Sequence, residues 1–148
     1  VGGGADKLYD ERFVHFIVLF NTDRDYFECH EVMEELWLEE GRNLLYQGLL
    51  QAAVGLHHWR NENFSGAVKL FKQADSKLVQ YPDEQMGIDL RRLRADVAGS
   101  LALLVGEEDR LLAPAFAPFR LVITDERLMM ESEALAQMPL EQRLHPDA

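Results

Sequence analysis

One segment constrains the fold of this chain more than any other. From Leu44 to Trp59 the residues run Leu-Leu-Tyr-Gln-Gly-Leu-Leu-Gln-Ala-Ala-Val-Gly-Leu-His-His-Trp, with neither a proline nor a carboxylate, lysine or arginine among them. Place Gln47 at zero and advance by the helical angle. Leu44 then falls near ~60°, Val54 near ~-20° and Leu50 near ~-60°, while Leu45, Leu49 and Leu56 occupy the opposite face. A helix that is apolar nearly all round must be surrounded, so this one belongs at the centre of a bundle. Gln47, Gln51 at ~40° and His58 at ~20° draw one polar line down it, and His57 points ~100° away from His58, toward the periphery. Gly48 and Gly55 lie on the same helix. Each costs about 1 kcal/mol in helix propensity relative to alanine, which calls for a close-packed neighbour.

The rest of the chain follows the same period. Residues from about Lys7 to Phe20 place Phe13, Phe16, Ile17 and Phe20 on one stripe. Asn21 to Asp25 reads as a polar turn. Asp25 followed three residues later by Glu28 is a capping pattern for a helix running to about Leu38. Glu39-Glu40-Gly41-Arg42 breaks it before the central helix, Asn43 to Arg60. Asn61-Glu62-Asn63 is the next turn, Phe64 to Gln80 the fourth helix, and Tyr81-Pro82-Asp83 its end. A fifth helix is expected over about Gly87 to Val105, closed by Gly106. Pro114 and Pro118 then interrupt the pattern. Phe119 to Ile123 reads as extended chain packed on the bundle, and Asp125 to Gln137 as a last amphipathic helix. The expected organisation is one all-α domain over residues 7–137, an antiparallel bundle of about five main helices with a C-terminal appendage. Residues 1–6 read as a disordered or vector-derived end, and 138–148 as a frayed tail.

The helix before the central one carries polar groups of its own inside an apolar stripe. With His30 at zero, Glu34 falls near ~40°, Trp37 near ~-20°, Tyr26 near ~-40°, Met33 near ~-60° and Phe27 near ~60°. Glu28 and Glu35 lie on the solvated face, with Glu31 at the rim. If the two helices pack antiparallel, His30 and Glu34 meet Gln47, Gln51 and His58. Polar groups on packed faces are costly unless paired, so the cluster marks either structure or chemistry.

Composition narrows the function classes. The 148 residues carry a formal net charge of -11 with no block of Lys or Arg, which repels phosphate backbones and argues against nucleic acid as a partner. No apolar run approaches the roughly 20 residues of a membrane span, and no secretory signal pattern opens the sequence. The single cysteine, Cys29, permits no internal disulfide and fits a reducing compartment, so a cytoplasmic setting is expected. Cys29 has no cationic neighbour in sequence to activate it and reads as a small buried hydrophobe.

Four readings of the cluster follow. The first is a hydrogen-bonded network that fixes helix pairing and doubles as a ligand site. The second is a divalent metal site for zinc, iron or manganese. His30-Glu31-x-x-Glu34 has the spacing of the zinc-peptidase His-Glu-x-x-His motif. His30, Glu34 and His58 would be the ligands, and Glu31 the general base of a metal-dependent hydrolase. The third is a metal-free pocket for an unidentified small molecule. Gln47 and Gln51 would orient the ligand, His30 and Glu34 would act as base and orienting carboxylate, and Tyr26 and Trp37 would line the walls. The fourth is a tetratricopeptide-like scaffold, suggested by Asn63-Phe64-Ser65-Gly66-Ala67 ahead of a helix. Two hairpins fall short of the about three repeats a free-standing solenoid needs. Exposure of Leu128, Met129 and Leu135 would support a protein partner or homodimer on that reading.

The string Phe20-Asn21…Tyr26-Phe27-Glu28-Cys29-His30-Glu31…Glu34-Glu35…Trp37, followed by Gln47-Gly48-Leu49-Leu50-Gln51-Ala52-Ala53-Val54…His58, resembles the domain of unknown function numbered 309. The likeness extends from about Tyr9 to Tyr81. It implies a compact helical, tetratricopeptide-like bundle, and puts the family's motif at His30, Glu31, Glu34, Trp37, Gln47, Gly48, Gln51 and His58. That family has no established activity, so the resemblance supplies no reaction. The connection from Leu38 to Asn43 is shorter than the family's usual one, which leaves either a tight turn or missing residues.

Overall fold

The computed structural model describes residues 9–105 and 113–145. The expectations for the end at 1–6, for Gly106 as a helix stop and for the last tail residues, 146–148, lie outside the described residues. Helix α1, Glu11–Val18, begins where the Asp10 carboxylate accepts the Arg12 amide at 2.8 Å. Its stripe of Phe13, Phe16 and Ile17, continued by Phe20, is buried. The helix does not run on evenly to Phe20. It widens into a π-helical turn, Leu19–Asp23, closed by Arg24 at φ 53°. Helix α2, Tyr26–Glu39, starts on Asp25, whose carboxylate accepts the Glu28 amide at 3.1 Å, as the capping pattern predicts.

The short connection after α2 is a tight turn. Gly41 sits at φ 67° and Arg42 at φ 63°, and the Arg42 amide donates back to the Trp37 carbonyl at 2.8 Å. A left-handed residue there closes a helix, and glycine takes that conformation without a Cβ penalty. Asn43 then caps α3, Leu44–Arg60, by accepting the amides of Leu45 and Tyr46. Asn63 caps α4, Phe64–Leu78, through the Gly66 amide.

Helix α3 packs most extensively on α4 and next on α2, as its nearly uniform apolarity requires. Helix α4 packs in turn on α5, Leu90–Val105, while α1 lies against α2 and α6, Glu126–Ala136. With the short α7, Leu140–Leu144, the described residues form an all-α bundle of five main helices and a C-terminal appendage. The two glycines of α3 face α4. A Cβ on Gly48 would stand 3.0 Å from Leu78 Cδ2, and one on Gly55 2.6 Å from the Phe71 ring. Phe71 and Leu78 recur at the same interval as the glycines, so two knobs of α4 fill two gaps in α3.

Three features depart from the expected pattern. A small hairpin, β1 Glu84–Gln85 and β2 Ile88–Asp89, precedes α5 and delays its start to Leu90. Its turn holds Met86 at φ 50° and Gly87 at φ 77°, the paired positive angles that match the twist of a two-residue hairpin. The extended stretch expected at Phe119–Ile123 reaches this hairpin. Ile123 bridges Ile88, and the Asp89 amide donates to the Val122 carbonyl at 2.9 Å. Within residues 113–124 the same stretch crosses the bundle. The Phe116 ring meets Trp59 edge-on at 5.6 Å, Phe119 stands 5.9 Å from Phe20, and Asn21 exchanges two hydrogen bonds with the Leu121 backbone.

The second departure is the tail. Residues 140–144 are helical and anchored rather than frayed. The Arg143 guanidinium reaches Asp23 at 2.8 Å and donates to the Met138 carbonyl, with only 2% of its side chain exposed. The third concerns Leu128, whose exposure would have supported a partner-binding face: it is wholly buried, Leu135 is partly buried, and only Met129 of the three is exposed. No described helix is long and apolar enough to cross a membrane.

Candidate functional site

A pocket of about 240 Å³ lies between α2 and α3. His30, Glu34 and Trp37 line it from α2, and Gln47 and Gln51 from α3. Leu50, Val54 and Leu70 supply its apolar wall. The angular reading of the two stripes thus brings five polar-tipped residues together. They form an open pocket rather than a sealed network: the side chains of His30 and Glu34 are 35% and 45% exposed, and among the sequence candidates Gln51 alone is a buried polar residue, at 8%.

The polar groups pair locally. His30 Nδ1 lies 3.2 Å from Glu31 Oε1, and its Nε2 lies 3.1 Å from Glu34 Oε2. A neutral imidazole can donate to one of those carboxylates at a time. Gln51 Nε2 donates to Gln73 Oε1 on α4 at 3.2 Å, which leaves Gln51 Oε1 buried with no hydrogen-bond partner. Trp37 Nε1 is likewise buried and unpartnered, with the Arg42 guanidinium 5.1 Å over its ring. One acceptor and one donor on residues lining the same pocket are therefore unsatisfied.

Three expected site residues stand elsewhere. Tyr26 is wholly buried in the aromatic core, edge-on to Phe20 at 5.4 Å and covered by Arg60 at 4.8 Å. It does not line the pocket, and burial pushes its phenol pKa up. Glu31 is half-exposed and bonds His30 from outside the pocket. His58 shares the angular line of Gln47 and Gln51 but not their level. Phe27 of α2 lies level with His57, their rings 6.0 Å apart, so His58 is about one turn beyond His30 along the helix pair. It turns instead toward Asn63, at 3.3 Å.

The His30, Glu34 and His58 ligand set is accordingly not assembled. Among the described residues no three His, Cys, Asp or Glu side chains are grouped so as to hold a metal ion. His57, expected at the periphery, does not line the pocket and lies beside Phe27 and His58. Its pKa is lowered by burial first, then by the positive charge of His58 and Arg60, with His30 contributing to the same effect. Cys29 is fully buried, its thiol 3.6 Å from the Phe16 carbonyl, and burial raises its pKa well above the ordinary value. It is packing, not a nucleophile.

Leu70 and Gln73 were missed by sequence reasoning. Both come from α4, and their place depends on the register of α4 against α3, which no local pattern encodes. The glycine pair of α3 was the available signal, since Gly55 and Gly48 fix that register against Phe71 and Leu78.

Residues 13–70 match the family model described as Domain of unknown function (DUF309). An uncharacterized protein of Bacillus subtilis (strain 168), YpuF, is 37% identical over 95 residues, which are 58% of this chain and 52% of that protein. An uncharacterized protein of Aquifex aeolicus (strain VF5) is 34% identical over 74 residues, 48% of this chain and 22% of that protein. The chain spans about half the length of the first relative and about a fifth of the second.

Proposed function

We propose that this chain, similar over residues 13–70 to the DUF309 family, uses its α2–α3 pocket to bind a small, uncharged, hydrogen-bonding molecule such as an amide. The carrying observation is Gln51: nine-tenths buried, lining the pocket, with its Oε1 unpartnered. A buried acceptor left unpaired costs about 1–3 kcal/mol, which a bound donor would offset. Trp37 Nε1, on another residue of the lining, likewise lacks a partner. Glu34 at the pocket disfavours anions. About 240 Å³ is below the roughly 300 Å³ at which drug-sized pockets begin, so the ligand is small. All eight lining residues fall inside the matched segment 13–70, which supports a role common to that segment.

His30 adds a further polar group to the pocket wall, its Nδ1 beside Glu31 and its Nε2 beside Glu34. Cytoplasmic residence belongs to the same reading, since a lone buried thiol needs no oxidising compartment.

The test is a fragment panel of small amides, alcohols and carboxylates, observed by ¹⁵N–¹H correlation spectra of the full chain. Amides should perturb the signals of residues 30–37 and 47–54. Gln51→Leu should abolish this while keeping the fold, because leucine fills the space and removes the unpaired oxygen. A panel that leaves these residues unmoved, or a Gln51→Leu variant that responds like the wild type, would end the proposal.

A further inference from the structure

Among the described residues a second cavity, larger than the α2–α3 pocket, is a cleft of about 590 Å³ between α1, α6 and α7. Of its lining residues only Val14 and His15 lie within 13–70, so it is independent of the site proposed above. Its apolar wall is Val14, Ala134, Leu135 and Met138. Three of its other residues each keep a buried polar atom without a hydrogen-bond partner: His15 Nε2, Arg143 Nη1 and Glu131 Oε2.

The charges select the ligand. Arg143 is 98% buried at its side chain, the complement of the 2% exposed, and spends Nη2 on Asp23 at 2.8 Å, so Nη1 remains for an acceptor. Glu131 lies 3.8 Å from Arg127 through Oε1, and Oε2 remains for a donor. Glu11 adds a second carboxylate to the lining. Tyr9, also in the lining, already donates to Asp125. An anion would satisfy Arg143 but face Glu131 and Glu11. A cation would satisfy the carboxylates but leave Arg143 Nη1 without an acceptor in a buried site. A ligand with both charges and no net charge satisfies both, and charge-assisted hydrogen bonds are the strong ones.

We propose that the α1–α6–α7 cleft binds an apolar α-amino acid, its carboxylate on Arg143, its ammonium on Glu131 and its side chain against Val14, Leu135 and Met138. His15 lies beside the carboxylate site as a neutral ring that donates or accepts as the ligand requires. The cleft volume lies within the range of small-molecule sites and exceeds what the side chain of leucine or phenylalanine needs.

Four probes isolate the charge rule: L-leucine (zwitterion), leucinamide (cation), N-acetylleucine (anion) and N-acetylleucinamide (neutral). Each is titrated into the ¹⁵N-labelled full chain. Leucine should shift the amides of residues 9–15 and 131–143 at millimolar concentration, with each of the other three at least tenfold weaker. Ala134→Trp, which fills the cleft from its exposed side, should abolish the leucine response and leave the rest of the spectrum in place. Glu131→Gln should weaken leucine about tenfold and strengthen N-acetylleucine. Gln51→Leu should change none of this. No response to leucine, a stronger response to any of the other probes, or a leucine response that survives Ala134→Trp would overturn the assignment.

Discussion

At the scale of single residues, the polar side chains divide by exposure rather than by type. His30 keeps a third of its side chain in solvent, and its carboxylate partners keep about half. Exposed ion pairs contribute little, so His30→Ala should cost less than about 1 kcal/mol in a denaturation series. A loss of several kcal/mol would restore a structural role to the cluster. His15 behaves differently. Burial lowers its pKa first, and the neighbouring Arg143 charge lowers it further. A depressed base takes its proton more readily in the unfolded chain. The stability it lends is therefore full above about pH 6.5 and is lost as pH falls through its folded-state pKa. Replacing it by His15→Gln should flatten the fall of Tm between pH 7.5 and 5 relative to wild type. Identical slopes would remove His15 from the account. Tyr9 gives the opposite sign at the alkaline end. Burial and the Asp125 hydrogen bond push its pKa up to about 12, so the folded state holds a proton that the unfolded chain releases near pH 10, and stability falls between these values.

At the scale of elements, the central helix and its neighbours were legible because burial imposes the helical period on sequence. Angles alone brought His30, Glu34, Gln47 and Gln51 onto facing stripes. The same angles misplaced His58, because a wheel discards rise along the axis. They misplaced Tyr26 as well, because the core aromatics Phe20 and Phe116 that enclose it come from other elements. The hairpin at Glu84–Asp89 escaped notice since two-residue strands carry no alternation to detect; only its Met86-Gly87 turn marks it. Glycine spacing on α3 was more telling than its small size suggests. Gly55→Ala would set a methyl group 2.6 Å from the Phe71 ring, and that ring is wholly buried with Phe119 6.2 Å away. Overpacking of this kind costs about 1–3 kcal/mol and outweighs the roughly 1 kcal/mol that alanine gains in helix propensity. Gly55→Ala should therefore lower Tm, while Gly99→Ala, where nothing lies within 4 Å, should raise it.

At the scale of the whole molecule, the C-terminal helix α7 is tied to the π-helical turn that follows α1. Arg143 of α7 pairs with Asp23 of the π-helical turn, both largely buried. Removing one partner of such a pair leaves the other charge uncompensated, so Arg143→Met should cost about 3 kcal/mol, measurable by urea denaturation. A cost below about 1 kcal/mol would mean that water replaces the arginine at Asp23. The stretch 113–124 joins the molecule a second way, by laying Phe116 on Trp59 and Tyr26 and Phe119 on Phe20 and Phe71. Four of the largest side chains within 13–70, or at its edge, thus complete their packing with aromatics from far outside it. The recognisable signature is shorter than the unit that must be inherited together. Drift in size at Phe20, Tyr26, Trp59 or Phe71 has to be answered at residues 116 and 119, and a lineage that kept the signature while losing the strap would have to rebuild half of its aromatic core.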